Sequence, residues 1–195
     1  MTSVLDRNLF FVREHLGIFK AANNFDILDP ETGGEILHCR EPQLGMFTRL
    51  LRFSDYKRNT PFDVRVTTPD GEPVLQVTRG VSIFLSKVHV TDASGEALGS
   101  FQQKLWSIGG KFELLAADGT PLCMLQGKWT GWEFKFVRDG QELACVTKKW
   151  AGLGKEMFTS ADNYVLSVSE EVPLGAPLRK LILASVLCID MVLKE

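Results

Sequence analysis

The apolar run near the C-terminus limits what this 195-residue chain can fold into more than any other feature. After Pro173, Gly175 and Pro177, residues 181–193 are apolar or small except for one charged residue, Asp190. As a helix this run is about 20 Å long, whereas the hydrocarbon core of a bilayer is about 30 Å thick. A helix that is apolar on every side is either buried in protein or spans a membrane, and this length favours burial.

We therefore predict a central helix over about residues 177–193 that is buried by the rest of the chain. Pro177 suits the first turn of a helix, where its missing N–H is not needed. The alternative is a membrane span. Asp190 disfavours that alternative, because a carboxylate deep in lipid costs about 2–3 kcal/mol.

A repeated turn pattern predicts an antiparallel sheet in the rest of the chain. Polar segments containing Gly separate short apolar runs at residues 29–34, 69–71, 92–95, 118–119 and 139–140. Asp-Gly and related pairs tolerate the positive φ that two-residue hairpin turns require. Four of the five turns recur at intervals of roughly 20–25 residues, which is the length of one hairpin.

The runs between the turns alternate in polarity. Phe62, Val64 and Val66 alternate with polar residues, as do Phe134 and Phe136. This alternation gives each strand one buried and one wet face. About twelve strands fit between residues 9 and 169, and so long a meander must close to remove its edges. The predicted fold is one mainly β domain over residues 1–195, a closed antiparallel barrel of about twelve strands enclosing the hydrophobic C-terminal helix.

Charge and cysteine usage limit the partners and the compartment. The formal net charge of −2 argues against a nucleic-acid binder that relies on a global positive field. The first residues lack the pattern of a signal peptide, which predicts a cytoplasmic protein. Four free thiols are expected and two disulfides are the alternative, because no C-x-x-C pair occurs among Cys39, Cys123, Cys145 and Cys188.

Motifs in the last third of the chain resemble a known family. KKWAG at 148–152 is followed by EMFT at 156–159, ADNY at 161–164 and LCIDM at 187–191. This order and spacing is similar to the phospholipid scramblase family, where a K-x-W-x-G segment precedes F-T-x-A-D-N-[FY] and a helix ending near I-D. LURP-one-related proteins share the architecture within the Tubby C-terminal-like superfamily. The resemblance implies a twelve-stranded barrel around the C-terminal helix and a role on phospholipid.

No cofactor is predicted, and Ca²⁺ is the alternative that the resemblance offers, through the segment that begins at Asp162 and Asn163. Family members continue with acidic residues before the helix, but residues 174–176 here read Leu-Gly-Ala. The alternative is that Asp162 and Asn163 form a turn whose side chains bond to the local backbone. Family members also carry a cysteine cluster that is absent from residues 40–58 of this chain.

A basic patch is the predicted contact with anionic lipid head groups, where each cation contributes about 1 kcal/mol near a charged surface. The alternative is an ordinary solvated face with the tryptophan packed in the barrel wall. The predicted patch comprises Lys148, Lys149, Trp150, Lys155, Arg179 and Lys180.

No nucleophile elbow, phosphate loop, metalloprotease or dinucleotide motif is present, so no catalytic residues are predicted. Three functions stay open. The first is a cytoplasmic module at the membrane periphery that binds anionic phospholipid and assists transbilayer lipid movement. The second is a cytoplasmic protein-interaction scaffold without lipid or catalytic activity. The third is a small-molecule binder that uses one end of the barrel, for which the sequence names no ligand.

Overall fold

The computed structural model describes residues 4–15, 24–42, 60–81, 87–103, 111–128, 132–148 and 163–189. Twelve strands close into an antiparallel barrel in which each strand pairs with its neighbours in sequence. The first strand closes the barrel on the twelfth, with Leu9 opposite Ser167 and Arg13 opposite Asn163. The predicted fold class is therefore confirmed.

The described elements begin with a short 3₁₀ turn, Val4–Asp6, and end with helix α1, Pro177–Cys188. The strands between them are β1 (Leu9–Glu14), β2 (Phe25–Leu28), β3 (Glu35–Arg40), β4 (Phe62–Thr67), β5 (Pro73–Arg79), β6 (Lys87–Asp92), β7 (Ala97–Gln103), β8 (Phe112–Ala116), β9 (Pro121–Lys128), β10 (Glu133–Arg138), β11 (Gln141–Thr147) and β12 (Asn163–Val168).

The tight turns use two kinds of geometry. Between β10 and β11, Asp139 and Gly140 both have positive φ, at 52° and 81°, as the two-residue hairpin requires. The β4–β5, β6–β7 and β8–β9 turns differ from that expectation. In each of them one glycine has positive φ (Gly71, Gly95 or Gly119), and the register of the hairpin shifts by one residue beside the turn. A tight turn followed by a glycine bulge explains both observations.

The topology gives the barrel two different ends. Because consecutive strands are antiparallel, the tight turns β2–β3, β4–β5, β6–β7, β8–β9 and β10–β11 all lie at one end. Residues 169–176, which lead from β12 into α1, lie at the same end. We call this the hairpin end and the opposite one the far end.

The interior is filled by α1. Phe62, Val64 and Val66 face inward and are buried, which confirms the predicted alternation. Leu181 and Ile182 of α1 have no exposed surface, and every residue from 181 to 188 is buried. The buried central helix is therefore confirmed, while the last part of its predicted range, 190–193, lies outside the described residues.

Candidate functional site

Lys148 lies against two aromatic rings at the far end of the barrel. Its Nζ is 3.6 Å from the ring centroid of Trp132 and 5.1 Å from that of Tyr164. The two rings are themselves in contact, with centroids 5.6 Å apart. An ammonium group over an indole face is attracted by the ring's quadrupole, so these contacts hold the Lys148 side chain in place.

The sequence did not place Lys148 beside Trp132. The two residues come together because β10 and β11 pair with Glu133 opposite Thr147, which brings the start of one strand beside the end of the other. Tyr164 joins them from β12, which pairs with β11. Predicting this contact would have required the strand register, because no local sequence pattern connects Trp132, Lys148 and Tyr164.

Arg179 is held inside the hairpin end by three acceptors. Only 4% of the residue is exposed. Its Nε donates to the carbonyl of Val172 at 3.1 Å, Nη1 donates to the carbonyl of Arg7 at 2.9 Å, and Nη2 donates to Oδ1 of Asn8 at 2.5 Å. These bonds tie the start of α1 to the segment that leads into β1. A lipid head group could reach this guanidinium only after those bonds had broken.

Lys180 lies at the hairpin end, half-buried beside Asp92. The pKa of Asp92 is lowered first by its hydrogen bond from the Ser94 hydroxyl, and the charge of Lys180 lowers it further. Lys148 follows β11 and lies at the far end, so the seven residues of that strand separate the two lysines by about 23 Å. The three described residues of the predicted patch, Lys148, Arg179 and Lys180, thus do not share one surface. Lys149, Trp150 and Lys155 lie outside the described residues.

The predicted calcium residues are described only in part. Asn163 is the first residue of β12 and is buried, opposite Arg13 of β1. Asp162 lies outside the described residues. Calcium takes six to eight oxygen ligands, of which the described part of this motif offers one amide oxygen.

A charged network on the outer wall was not foreseen from the sequence. The Asp26 side chain is 2% exposed and accepts hydrogen bonds from Arg13 Nη2 at 2.8 Å, Arg40 Nη2 at 2.5 Å and His15 Nε2 at 2.5 Å. Burial alone would raise the pKa of Asp26, but these donors more than offset it and bring the value to about 2. The carboxylate is therefore ionised at neutral pH.

The same network holds three potential metal ligands. Asp26, Glu35 and His38 each offer one ligand atom, and these atoms lie within 4.8 Å of one another. Arg13 bonds to both carboxylates, and His38 Nε2 is 2.9 Å from Glu35. Because guanidinium groups already neutralise these carboxylates, the network is better suited to joining β1, β2 and β3 than to binding a cation.

Charge is distributed unevenly along the barrel. The hairpin end comprises residues 4–8, 29–35, 68–72, 92–96, 117–120, 138–141 and 169–180. These segments contain twelve of the 24 acidic residues of the chain and four of its 22 basic residues. The rest of the described residues contain seven acidic and nine basic residues, and the remaining five acidic and nine basic residues lie outside the described part of the chain. One end of the molecule is thus strongly negative although the whole is nearly neutral.

A closed twelve-stranded antiparallel barrel filled by its own C-terminal helix defines the Tubby C-terminal-like class of proteins. A family model described as Scramblase matches residues 8–195. The chain therefore belongs to the scramblase family, which confirms the resemblance seen in its last third.

Two curated relatives are similar to most of this chain. "Altered inheritance rate of mitochondria protein 25" of Saccharomyces cerevisiae is 25% identical over 190 residues, covering 85% of this chain and 57% of that protein. A "Phospholipid scramblase family protein" of Schizosaccharomyces pombe is 25% identical over 173 residues, covering 84% of this chain and 45% of that protein. The chain spans about half the length of these relatives.

The fold also matches a crystal structure of a protein from Arabidopsis thaliana. The TM-score is 0.52 at 14% sequence identity, and the match covers 93% of this chain and 90% of the other. At this identity the likeness shows the fold alone.

Proposed function

We propose that this domain associates with anionic phospholipid surfaces through its far end and thereby assists the movement of phospholipid between leaflets. The observation that carries the proposal is the uneven charge of the barrel, in a chain that belongs to the scramblase family. An anionic membrane repels the hairpin end, with twelve acidic and four basic residues, and attracts the remaining, net positive part of the chain.

The far end offers suitable contacts. Lys87 begins β6 and Lys111 precedes β8, and both are exposed there. Val81, which follows β5 at the same end, is 73% exposed. Lys148 adds a cation that packs on the partly exposed ring of Trp132, a side-chain type that prefers the membrane interface. Cations with aromatic and apolar neighbours are the composition that anionic membranes attract.

The central helix contributes to the proposal as structure rather than as a span. Within the described residues, no helix is long and apolar enough to cross a bilayer. The twelve residues of α1 measure about 18 Å and fill the barrel, so inserting them into lipid would empty the core. On this proposal the folded barrel acts on lipid from the membrane surface.

Liposome flotation of the full chain tests the association. The protein should float with phosphatidylcholine vesicles that contain phosphatidylserine, and float less as salt increases. Lys148→Gln should reduce the floated fraction, whereas Lys180→Gln, which removes the same charge at the hairpin end, should not. Equal flotation with and without phosphatidylserine, or equal loss in both variants, contradicts the proposal.

Lipid movement and calcium need a separate assay. Proteoliposomes that carry a fluorescent phospholipid in both leaflets should lose the inner-leaflet label to an external, membrane-impermeant quencher faster when the protein is present. A rate that rises with Ca²⁺, and loses that rise in an Asp162→Ala variant, supports the calcium site predicted at Asp162 and Asn163. A rate equal to that of protein-free liposomes contradicts the proposed lipid movement. Binding of a stable protein partner, together with no flotation on vesicles, favours the alternative function as a protein-interaction scaffold.

A further inference from the structure

A cleft of about 760 Å³ opens at the hairpin end, away from the far-end surface assigned to lipid. It lies between the β6–β7 and β8–β9 turns and the segment that leads into α1. Its volume falls in the range of about 300–1,000 Å³ that is typical of small-molecule sites. Most of its lining is apolar, including Leu98, Leu122, Val172, Pro173, Pro177 and Leu178.

Three carboxylates line this cleft, those of Asp92, Glu96 and Asp118. Oδ1 of Asp92 accepts the backbone N–H groups of Ser94 at 2.8 Å and Glu96 at 3.0 Å, which orients it within the turn. Hydrogen bonds hold the pKa of Asp92 and of Asp118 below their usual range. Both groups are therefore ionised at neutral pH.

Positive charge at the cleft is smaller than the negative charge. Arg138 is the basic residue in the lining, and the N-terminus of α1 at Pro177 contributes about half a unit charge. Three carboxylates against these two sources leave an excess of about 1.5 negative charges. In the neighbouring segments, the three carboxylates of Asp139, Glu170 and Glu171 outnumber the two cations, Arg179 and Lys180.

We propose that this cleft binds a cationic amphiphile, a small molecule with a protonated amine and an apolar chain. The apolar lining would cover the chain, and the carboxylates of Asp92, Glu96 and Asp118 would face the amine. The inference is independent of the proposed membrane association, because the cleft and the far-end lysines lie at opposite ends of the barrel.

Isothermal titration of the full chain with decylamine, below its micelle concentration, tests the proposal. Decanoate and decanol are the matched probes, with the same chain and a negative or neutral head. Decylamine should bind the wild type measurably more tightly than either probe. The double variant Asp92→Asn, Asp118→Asn should bind decylamine about tenfold more weakly, as expected when two exposed ionic contacts are lost.

Two further variants distinguish binding inside the cleft from general attraction to the negative charge of the hairpin end. Asp70→Asn removes a carboxylate from the β4–β5 turn, outside the lining, and should change affinity by about twofold or less. Ala97→Trp, at an exposed lining position, should block the cleft while leaving the thermal unfolding midpoint nearly unchanged. Absence of decylamine binding, tighter binding of decanoate, or full affinity in the folded Ala97→Trp protein overturns the proposal.

Discussion

Leu181 of the central helix packs directly onto Gly99 of the barrel wall. A Cβ built at Gly99 would lie 2.9 Å from Cδ1 of Leu181 and 2.2 Å from the carbonyl oxygen of Leu115 on the neighbouring strand. Gly99 also has a φ of 155°, which side chains rarely adopt. The missing side chain therefore lets the helix approach β7 at the point where α1 enters the barrel.

Gly99→Ala should lower the free energy of unfolding by about 2 kcal/mol or more, because the added methyl group overlaps a backbone atom that cannot move freely. Chemical denaturation followed by tryptophan fluorescence measures this change. Gly80→Ala is the matched control, since a Cβ there meets nothing within 4 Å, and it should change stability by less than about 0.5 kcal/mol. Equal stability of the two variants would show that the helix does not rest on β7 as described.

Replacing Arg179 tests its role as a tie between the helix and the N-terminal segment. Arg179→Met keeps the length of the side chain but removes all three hydrogen bonds, to Val172, Arg7 and Asn8. We expect a loss of about 2–4 kcal/mol of unfolding free energy, because buried acceptors are left without their donor. Urea denaturation measures it. Lys180→Met, next in sequence and half-buried, should cost far less, and similar losses in both variants would contradict the assigned role.

The barrel and its filling were predictable because both depend on patterns within short stretches of sequence. Alternation such as that at Phe62, Val64 and Val66 assigns a strand and its inner face at once, and the length of the apolar run decided between burial and a span. The type of each turn was harder to predict from the sequence. Asp118-Gly119 and Asp139-Gly140 are the same dipeptide but form different turns. Asp118-Gly119 is followed by a bulge, whereas Asp139-Gly140 is a two-residue loop.

The candidate site was harder to predict, because it depends on which strand ends meet. Lys148 and Lys180 looked like parts of one basic patch, but strand direction places them at opposite ends of the barrel. Arg179 looked exposed beside Lys180, yet the rotation of the helix turns it toward Arg7 and Asn8, about 170 positions earlier in the chain. Contacts of that range have no signature in a single sequence.

The network around Asp26 should make stability depend on pH in acid. The folded pKa of Asp26, about 2, lies below its ordinary value of 3.8, so its contribution to stability is complete above about pH 4 and is lost as the pH falls toward 2. Asp26→Asn should cost about 2–4 kcal/mol at pH 7, because Arg13 and Arg40 lose their shared carboxylate.

Urea denaturation of the wild type and of Asp26→Asn between pH 7 and pH 2 measures the difference in their unfolding free energies. This difference should stay constant down to about pH 4 and then narrow. Asp70→Asn, at an exposed turn, serves as the control and should follow the wild type throughout. A difference that does not change with pH would mean that the Asp26 carboxylate is not stabilised by these donors.

The four cysteines should be free and slow to react in the folded protein, with Cys145 reacting first. All four are thiols in the structure, and Cys39, Cys123 and Cys188 are buried while Cys145 is half-buried. Burial raises the pKa of Cys123 to about 12 and that of Cys145 to about 11, with Glu142 adding to the latter. Since the thiolate is the nucleophile, alkylation at pH 8 should be slow and should accelerate up to pH 10.

Mass spectrometry after brief iodoacetamide treatment should find the label at Cys145 before the other three cysteines, and at all four positions once urea unfolds the barrel. Rapid labelling of Cys39 or Cys188 in the folded protein would contradict the closed, helix-filled interior.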